Sequence, residues 1–228
     1  GTIHAFCAEL LRARPVEALI DPSFEELNET QAPRLFHKVF DRWIQEKLDQ
    51  ESPVLRRALT RLALVESWLE TPPLKTLETA AWKIVCWRDF PRPWRRTETN
   101  YRELIDQLVV LIGRLEEISR HPTRPNDDLR VGLGPLVSFL TWIRRAEAFS
   151  PRDYDTLEAM LLKMLAELKR YRRTGRGEYS EEVSREQIVQ ARGLLIQRLE
   201  QLKQETGADT AALLHDEFRE LVDRYQEA

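Results

Sequence analysis

Hydrophobic residues recur at the spacing of an α-helix through most of this chain. The clearest run spans residues 35–48, where large apolar side chains fall on one helical face. Similar stripes occupy residues 3–11, 55–69, 74–85, 101–118, 136–143, 154–171 and 188–202. No segment sustains the alternation of apolar and polar residues that marks a half-buried strand. The pattern predicts an all-α fold, an irregular bundle of eight or nine helices with no sheet.

Polar residues that favour helix N-termini mark where two helices should begin. Asn28 precedes Gln31 by three residues, and Ser184 precedes Gln187 by the same spacing. This spacing lets each pair satisfy two backbone N–H groups of the first helical turn. We therefore expect one helix to start beside Asn28 and another beside Ser184.

Prolines and glycines divide the chain further. Ser52–Pro53 and Ser150–Pro151 each place a capping hydroxyl before a proline that suits the first helical turn. The first helix should end before Pro15, and Gly207 predicts a weak break in the last helical region. Residues 89–96 cannot be regular helix, because Pro91 and Pro93 lie too close together.

The composition indicates one large domain or two small ones. The chain has 228 residues, of which 42% are hydrophobic, so it can build a core. No apolar run approaches the roughly 18 residues of a membrane span, so no membrane partner is expected. Cys7 and Cys86 both fall in helical apolar patterns, which favours buried, reduced thiols in a cytoplasmic protein.

Charge is distributed unevenly along the chain. The net charge is −3, so the chain as a whole is not a basic nucleic-acid binder. Residues 88–96 nevertheless carry a net charge of +3, and residues 163–177 carry +5, which leaves −11 on the rest. Aromatic residues accompany both basic clusters. Two such clusters on an acidic body are a plausible footprint for a polyanion, although solvated arginines would give the same pattern.

Motifs for catalysis are missing from the sequence. It has no phosphate-binding Gly-x-x-x-x-Gly-Lys loop, no His-Glu-x-x-His zinc motif and no Gly-x-Ser-x-Gly elbow. The string Asp216-Glu217-Phe218 resembles a helicase magnesium motif, but its surroundings keep a helical period, so Phe218 should point inward. The neighbouring pair His215–Asp216 has no further His/Asp cluster to join. We expect no catalysis and no cofactor within this chain.

The first residues carry a more specific signal. Gly1-Thr2-Ile3-His4-Ala5-Phe6-Cys7, followed by residues 8–12, resembles the Thr-x-His-x-Phe motif of UvrD/RecB-type superfamily-one DNA helicases. Residues 21–25, 29–35, 87–90 and 93–96 look like the exonuclease-V-beta/AddA-like branch of that family. Residues 218–225 resemble the helix that leads back into its motor domain. The middle of the chain is matched by helical character alone.

This resemblance implies that residues 1–228 are a helical accessory subdomain, termed 1B, cut from a longer protein. Residues 1–13 would be the DNA-binding motif helix of the motor domain, and residues 208–228 the helix that returns to it. In relatives this subdomain leans over the DNA, touches the duplex ahead of the junction and guides single strand into the motor.

The resemblance also implies partners and a parent activity. The partners would be DNA, as a fork or a single-strand/duplex junction, the rest of the motor, and a second repair subunit. The parent would be an ATP-dependent helicase that uses ATP and Mg, and it could also carry a nuclease. The alternative interpretation is a helical scaffold that binds a partner protein within a helicase–nuclease complex.

Candidate DNA-binding residues follow from two sources. Thr2 and His4 match the positions that the family uses on the single-strand backbone, and both side chains can donate to a phosphate. Phe6 is expected to be a core anchor. The other candidates rest on charge and aromatic character: Trp94, Arg95, Arg96, Lys169, Arg170, Arg172 and Arg173.

Overall fold

A computed structural model describes most of the chain. The described residues are 3–18, 21, 24, 27–65, 71–88, 100–120, 122, 126–171, 173–175, 179 and 183–228, with the backbone alone for His4. Across these ranges the fold is all-α, with ten helices and no strand. The number exceeds the eight or nine expected because two short helices, of four and five residues, form outside the apolar stripes of the sequence.

The described residues form ten helices in sequence along the chain. Their bounds are α1 Ile3–Ala13, α2 Pro15–Ala18, α3 Gln31–Asp49, α4 Pro53–Val65, α5 Pro73–Cys86, α6 Tyr101–Ile118, α7 Asp128–Gly132, α8 Gly134–Glu147, α9 Tyr154–Arg170 and α10 Arg185–Glu227. None of these helices is long and apolar enough to cross a lipid bilayer.

Two hydrophobic cores share the last helix. One core joins α6, α8 and α9 to the first half of α10, and the other joins α3, α4 and α5 to its second half. The second core is built around aromatic rings, with Trp43 fully buried between Phe40 and Phe218 at centroid distances of 6.0 and 5.6 Å. Helix α10 has 43 residues, roughly 64 Å at the usual rise, and it ties the two cores together.

The predicted break at Gly207 is wrong, because α10 continues through it. A glycine inside a helix costs about 1 kcal/mol relative to alanine. Buried side chains on both sides of it, Leu202 and Ala212, pack into neighbouring helices and outweigh that cost. The hydroxyls of Thr206 and Thr210 also donate to carbonyls one turn earlier, at 2.7 Å in both cases.

Most predicted helix starts are confirmed. The Asn28 side chain accepts from the backbone N–H groups of Thr30 and Gln31, and the Gln31 side chain accepts from the N–H of Asn28. The N-cap position of α3 is nevertheless Thr30, two residues after Asn28. Ser184 and Gln187 form the expected capping box at the start of α10. The Ser52 hydroxyl accepts from the N–H of Leu55 at the start of α4.

The predicted start at Ser150–Pro151 is wrong by three residues. Asp153 caps α9 instead, since its carboxylate accepts from the backbone N–H groups of Asp155 and Thr156. Ser150 instead lies three residues after the end of α8, and its hydroxyl donates to the carbonyl of Ala146 in that helix. A carboxylate at a helix N-terminus gains from the helix dipole as well as from the hydrogen bonds.

Helix α1 corrects two further expectations. Phe6 is not a core anchor: it is 64% exposed, and its neighbours Ile3 and Leu10 are 78% and 53% exposed. Cys7 and Cys86 are also exposed rather than buried. The periodicity identified the apolar face of α1 correctly, but no described helix other than the short α2 packs closely against it.

Candidate nucleic-acid interface

The second basic cluster lies at the C-terminal end of α9. Lys169 and Arg170 occupy the last turn of this helix, and Arg173 follows shortly after it. All three side chains are exposed. Cations are favourable at a helix C-terminus, where the unpaired carbonyls carry partial negative charge. The structure therefore brings three of the predicted DNA-binding residues together at one end of the bundle.

A buried arginine fixes the end of α9. Arg192 of α10 donates from Nη2 to the carbonyl of Leu168 at 2.8 Å, and also to the carbonyl of Tyr171. Burial of the guanidinium lowers the pKa of Arg192. These bonds satisfy carbonyls that the helix leaves without an internal partner. The position of the exposed cations is thus set by a contact inside the fold.

Tyr171 holds the segment that follows α9 against the short helix α7. Its hydroxyl donates to Asp128 at 3.1 Å, and its ring lies over Gly132. A Cβ at Gly132 would come within 2.6 Å of the ring, so only glycine fits without displacement.

Arg185 anchors the same segment from α10. It pairs with the carboxylate of Asp127, the N-cap of α7, and donates to the carbonyl of Thr174. Burial alone would raise the pKa of Asp127, but Arg185 and the helix N–H groups outweigh it and hold the pKa below its usual range. Gly175 beside this pair adopts a φ of +64°, which glycine tolerates best.

The three exposed cations differ in whether an acidic side chain pairs with them. Lys169 pairs with Glu200 of α10, and both side chains are about half exposed. Arg170 and Arg173 have no acidic partner among the residues that the structure describes. Their charge is therefore available to an external anion, whereas that of Lys169 is partly neutralised.

The other predicted DNA-binding residues cannot be placed. Thr2, Trp94, Arg95, Arg96 and Arg172 lie outside the described residues. The backbone of His4 lies in the first turn of α1, and its side chain is not described. Their contacts with DNA therefore stay predictions.

Within the described ranges, no group of three or more His, Cys, Asp or Glu side chains converges. His215 is buried, and its Nδ1 lies 3.5 Å from Oδ1 of Asp216. Phe218 points into the core, as predicted from the helical period.

A groove between α5 and the second half of α10 was not anticipated. It has a volume of about 680 Å³, an apolar floor that includes Ile84 and Leu214, and Trp87 at one end. The sequence carried a partial signal for it. Trp87, the C-cap residue of α5, follows Ile84 by three residues and extends the apolar face of this helix beyond its last turn.

Comparison of the chain with protein-family models, with curated proteins and with solved structures finds no match.

Proposed function

We propose that this chain is a DNA-binding accessory subdomain of an ATP-dependent, UvrD/RecB-like DNA helicase. It contacts junction DNA and helps to guide the single strand, and it has no catalytic activity of its own. The observation that carries the proposal is the N-terminal string with Thr2, His4 and Phe6 at the spacing of the family's motif. In that family the motif leads directly into a helix, and α1 begins at Ile3.

The surface of α1 supports the proposal. Its exposed apolar side chains, Ile3, Phe6 and Leu10, form a stripe along a helix of 11 residues. Contiguous exposed apolar surface commonly marks an interface with another protein body. A motor domain covering this face would supply that body, and it would also supply the ATP and Mg sites.

The basic end of α9 supports a role with nucleic acid. Arg170 and Arg173 offer planar guanidinium groups that can bind phosphate through paired hydrogen bonds. Tyr171, Arg192 and Arg185 hold the backbone around them. Phosphate contacts of this kind position a protein on DNA without reading sequence. A cytoplasmic site of action fits DNA as the partner.

One specific observation favours the second candidate function, a protein-binding scaffold. The apolar groove between α5 and α10 has the size and character of a binding site for a protein segment. The two functions are compatible, because the groove residues and the α9 cations belong to different segments of the chain.

Fluorescence anisotropy with labelled DNA tests the proposal. The chain should bind a fork more tightly than a single strand of the same length, and the double variant Arg170→Glu/Arg173→Glu should weaken fork binding by about tenfold or more. The matched control is Arg144→Glu/Arg145→Glu, which reverses two exposed arginines in the last turn of α8. It should leave binding within about twofold.

A second variant tests the other basic cluster. Charge reversal at Arg95 and Arg96 should also weaken fork binding, because both arginines are proposed to contact phosphate. Unchanged fork affinity in that variant would remove those residues from the interface. Equal effects of the α9 and α8 variants would show that only overall charge matters.

A further inference from the structure

The groove between α5 and α10 has a continuous apolar floor. Phe218 and Val222 of α10 are nearly buried beneath it, while Ile84 of α5 and Leu214 of α10 remain partly exposed to it. The side chains lining the groove on α10 extend from Ala211 to Gln226. That segment is roughly 22 Å long at the usual helical rise, or about four turns.

Positive charge dominates the edges of the groove. Lys83 and Arg88 lie on the α5 side and Arg219 on the α10 side, and Asp223 is the one carboxylate among the described residues that line the groove. None of the three cations has an acidic partner within the described ranges, and all three are exposed. Unneutralised cations beside apolar surface attract a ligand that carries carboxylates next to apolar side chains.

Two acidic side chains near the groove form ion pairs with residues that do not line it. Glu217 and Glu220, on the same stretch of α10, both pair with Lys47 of α3, and Glu220 also pairs with Arg224. Their charges are therefore engaged on another face of the helix. The charge along the groove is therefore positive and comes from Lys83, Arg88 and Arg219.

A large aromatic residue stands at one end of the groove. Trp87 is the C-cap residue of α5 and is 66% exposed. Tryptophan is enriched among the few residues that dominate protein–protein binding energy, and arginine shares this enrichment. The combination of Trp87 with Arg88 and Arg219 around an aliphatic floor is typical of an anchor site.

From these features we propose that the groove binds an amphipathic, acidic α-helix of a partner protein. Apolar side chains spaced three or four residues apart along that helix would pack onto Ile84, Leu214 and Trp87. Glutamate or aspartate residues beside this stripe would face Lys83, Arg88 and Arg219. This inference does not depend on the proposed DNA-binding function. Arg88 belongs to the basic cluster 88–96, but none of the candidate DNA-binding residues that the structure describes lines the groove.

The side chains that form the floor of the groove suit a protein helix better than a nucleic acid. Single-stranded DNA binds where several aromatic faces stack on successive bases along a basic groove. Here Trp87 is the exposed aromatic side chain among the described residues that line the groove, and Phe218 is buried beneath it. Aliphatic side chains such as Ile84 and Leu214 suit the leucine-like residues of a helix better than base edges.

A designed peptide provides the probe. It is a fluorescein-labelled 16-residue amphipathic helix with leucines at positions 3, 7, 10 and 14 and glutamates flanking them, spaced as for about four turns. Two matched peptides serve as controls, one with every glutamate replaced by lysine and one with every leucine replaced by alanine. Binding is followed by anisotropy and by the shift of the Trp87 indole resonance in an NMR spectrum of the whole chain.

The proposal predicts that the acidic leucine peptide binds and that both control peptides bind at least about tenfold more weakly. Lys83→Glu/Arg219→Glu should weaken binding by about tenfold, and Trp87→Ala by a similar factor. Lys203→Glu, an exposed charge reversal elsewhere on α10, should change binding by less than about twofold. All four substitutions are at exposed positions, so the fold should persist, and circular dichroism checks this.

Several results would overturn the proposal. One is no binding of the acidic peptide at low salt, and another is binding that the Lys83/Arg219 variant leaves unchanged. Tighter binding of an oligonucleotide that the Trp87 variant abolishes would assign the groove to nucleic acid. If the chain instead self-associates and does not bind the peptide, and the Lys83/Arg219 and Trp87 variants abolish this self-association, the groove binds a second copy of the chain.

Discussion

Replacing the buried carboxylate of Glu158 should lower the free energy of unfolding more than breaking an exposed ion pair does. Glu158 of α9 is 1% exposed in its side chain and accepts from Arg57 Nε at 2.8 Å and from Arg61 Nη1 at 2.9 Å. Arg57 also donates to Asp209 of α10 at 2.7 Å. The cluster joins α4, α9 and α10 where the two hydrophobic cores meet.

Burial makes this cluster sensitive to the loss of any member. Burial has the largest influence on the Arg57 guanidinium and would lower its pKa, but Glu158 and Asp209 outweigh it and raise that pKa. The Arg57 guanidinium also lies 4.2 Å from the centroid of the Tyr101 ring. Glu158→Gln removes one negative charge and leaves two arginines facing one carboxylate. Breaking a buried pair in this way typically costs about 3–5 kcal/mol, and glutamine keeps one acceptor, so we expect about 3 kcal/mol.

Urea unfolding followed by circular dichroism measures this cost. With a slope of about 2–3 kcal/mol per molar urea, the Glu158→Gln midpoint should fall by roughly 1–1.5 M. The matched control is Glu46→Gln, the same substitution in the exposed pair with Arg224. It should cost less than about 1 kcal/mol, and salt should screen that effect but not the effect at Glu158.

A double-mutant cycle with Arg61→Gln isolates the pair itself. The coupling energy between Glu158 and Arg61 should fall between about 0.5 and 3 kcal/mol. A midpoint shift at Glu158 no larger than that at Glu46, with no coupling to Arg61, would refute the buried network. The junction between the two cores would then have to be held by apolar packing alone.

Two other predictions concern the segment behind the basic end of α9. Gly132→Ala should destabilise the fold by about 1–3 kcal/mol, because the new Cβ would displace the Tyr171 ring. The control Gly113→Ala, in α6, should stabilise the fold by about 0.5–1 kcal/mol, because its new Cβ meets nothing within 4 Å. Thermal unfolding of both variants distinguishes a steric effect from helix propensity, and a stabilised Gly132→Ala would contradict the contact. Asp127→Asn keeps a capping side chain but removes the ion pair with Arg185. The pKa of Asp127 is lower in the folded state than its ordinary value of 3.8. The stability that its ion pair contributes is therefore fully present above about pH 4 and is lost as the pH falls through the folded-state pKa. The stability difference between wild type and variant should therefore shrink below about pH 4, and a difference that persists there would exclude this pair as its source.

Local features of the fold were predictable from sequence. The capping box of Ser184 and Gln187 forms because its hydrogen bonds join residues three apart, so no distant contact is needed. The apolar periodicity identified the helices for the same reason. The error at Ser150 arose because Asp153, three residues later, is an N-cap residue of similar preference whose negative charge also favours a helix N-terminus.

Features that depend on distant residues were not predictable. Arg57 and Asp209 are 152 residues apart, and each looks like a solvated charge in its own helix. Burial of a helical face also depends on a second surface, which is why Phe6 and Cys7 fit an apolar pattern and yet are exposed. The groove has the same origin, since it exists only where α5 and α10 meet.

The most direct test of the DNA-binding proposal is the salt dependence of fork binding. The logarithm of the binding constant should fall linearly with the logarithm of salt concentration, with a slope of about −0.9 for each phosphate contact. Arg170→Glu/Arg173→Glu should make that slope shallower by roughly 2 units, whereas Arg144→Glu/Arg145→Glu should leave it unchanged. A wild-type chain that does not bind the fork at low salt, or a slope identical in both variants, would contradict the proposed interface.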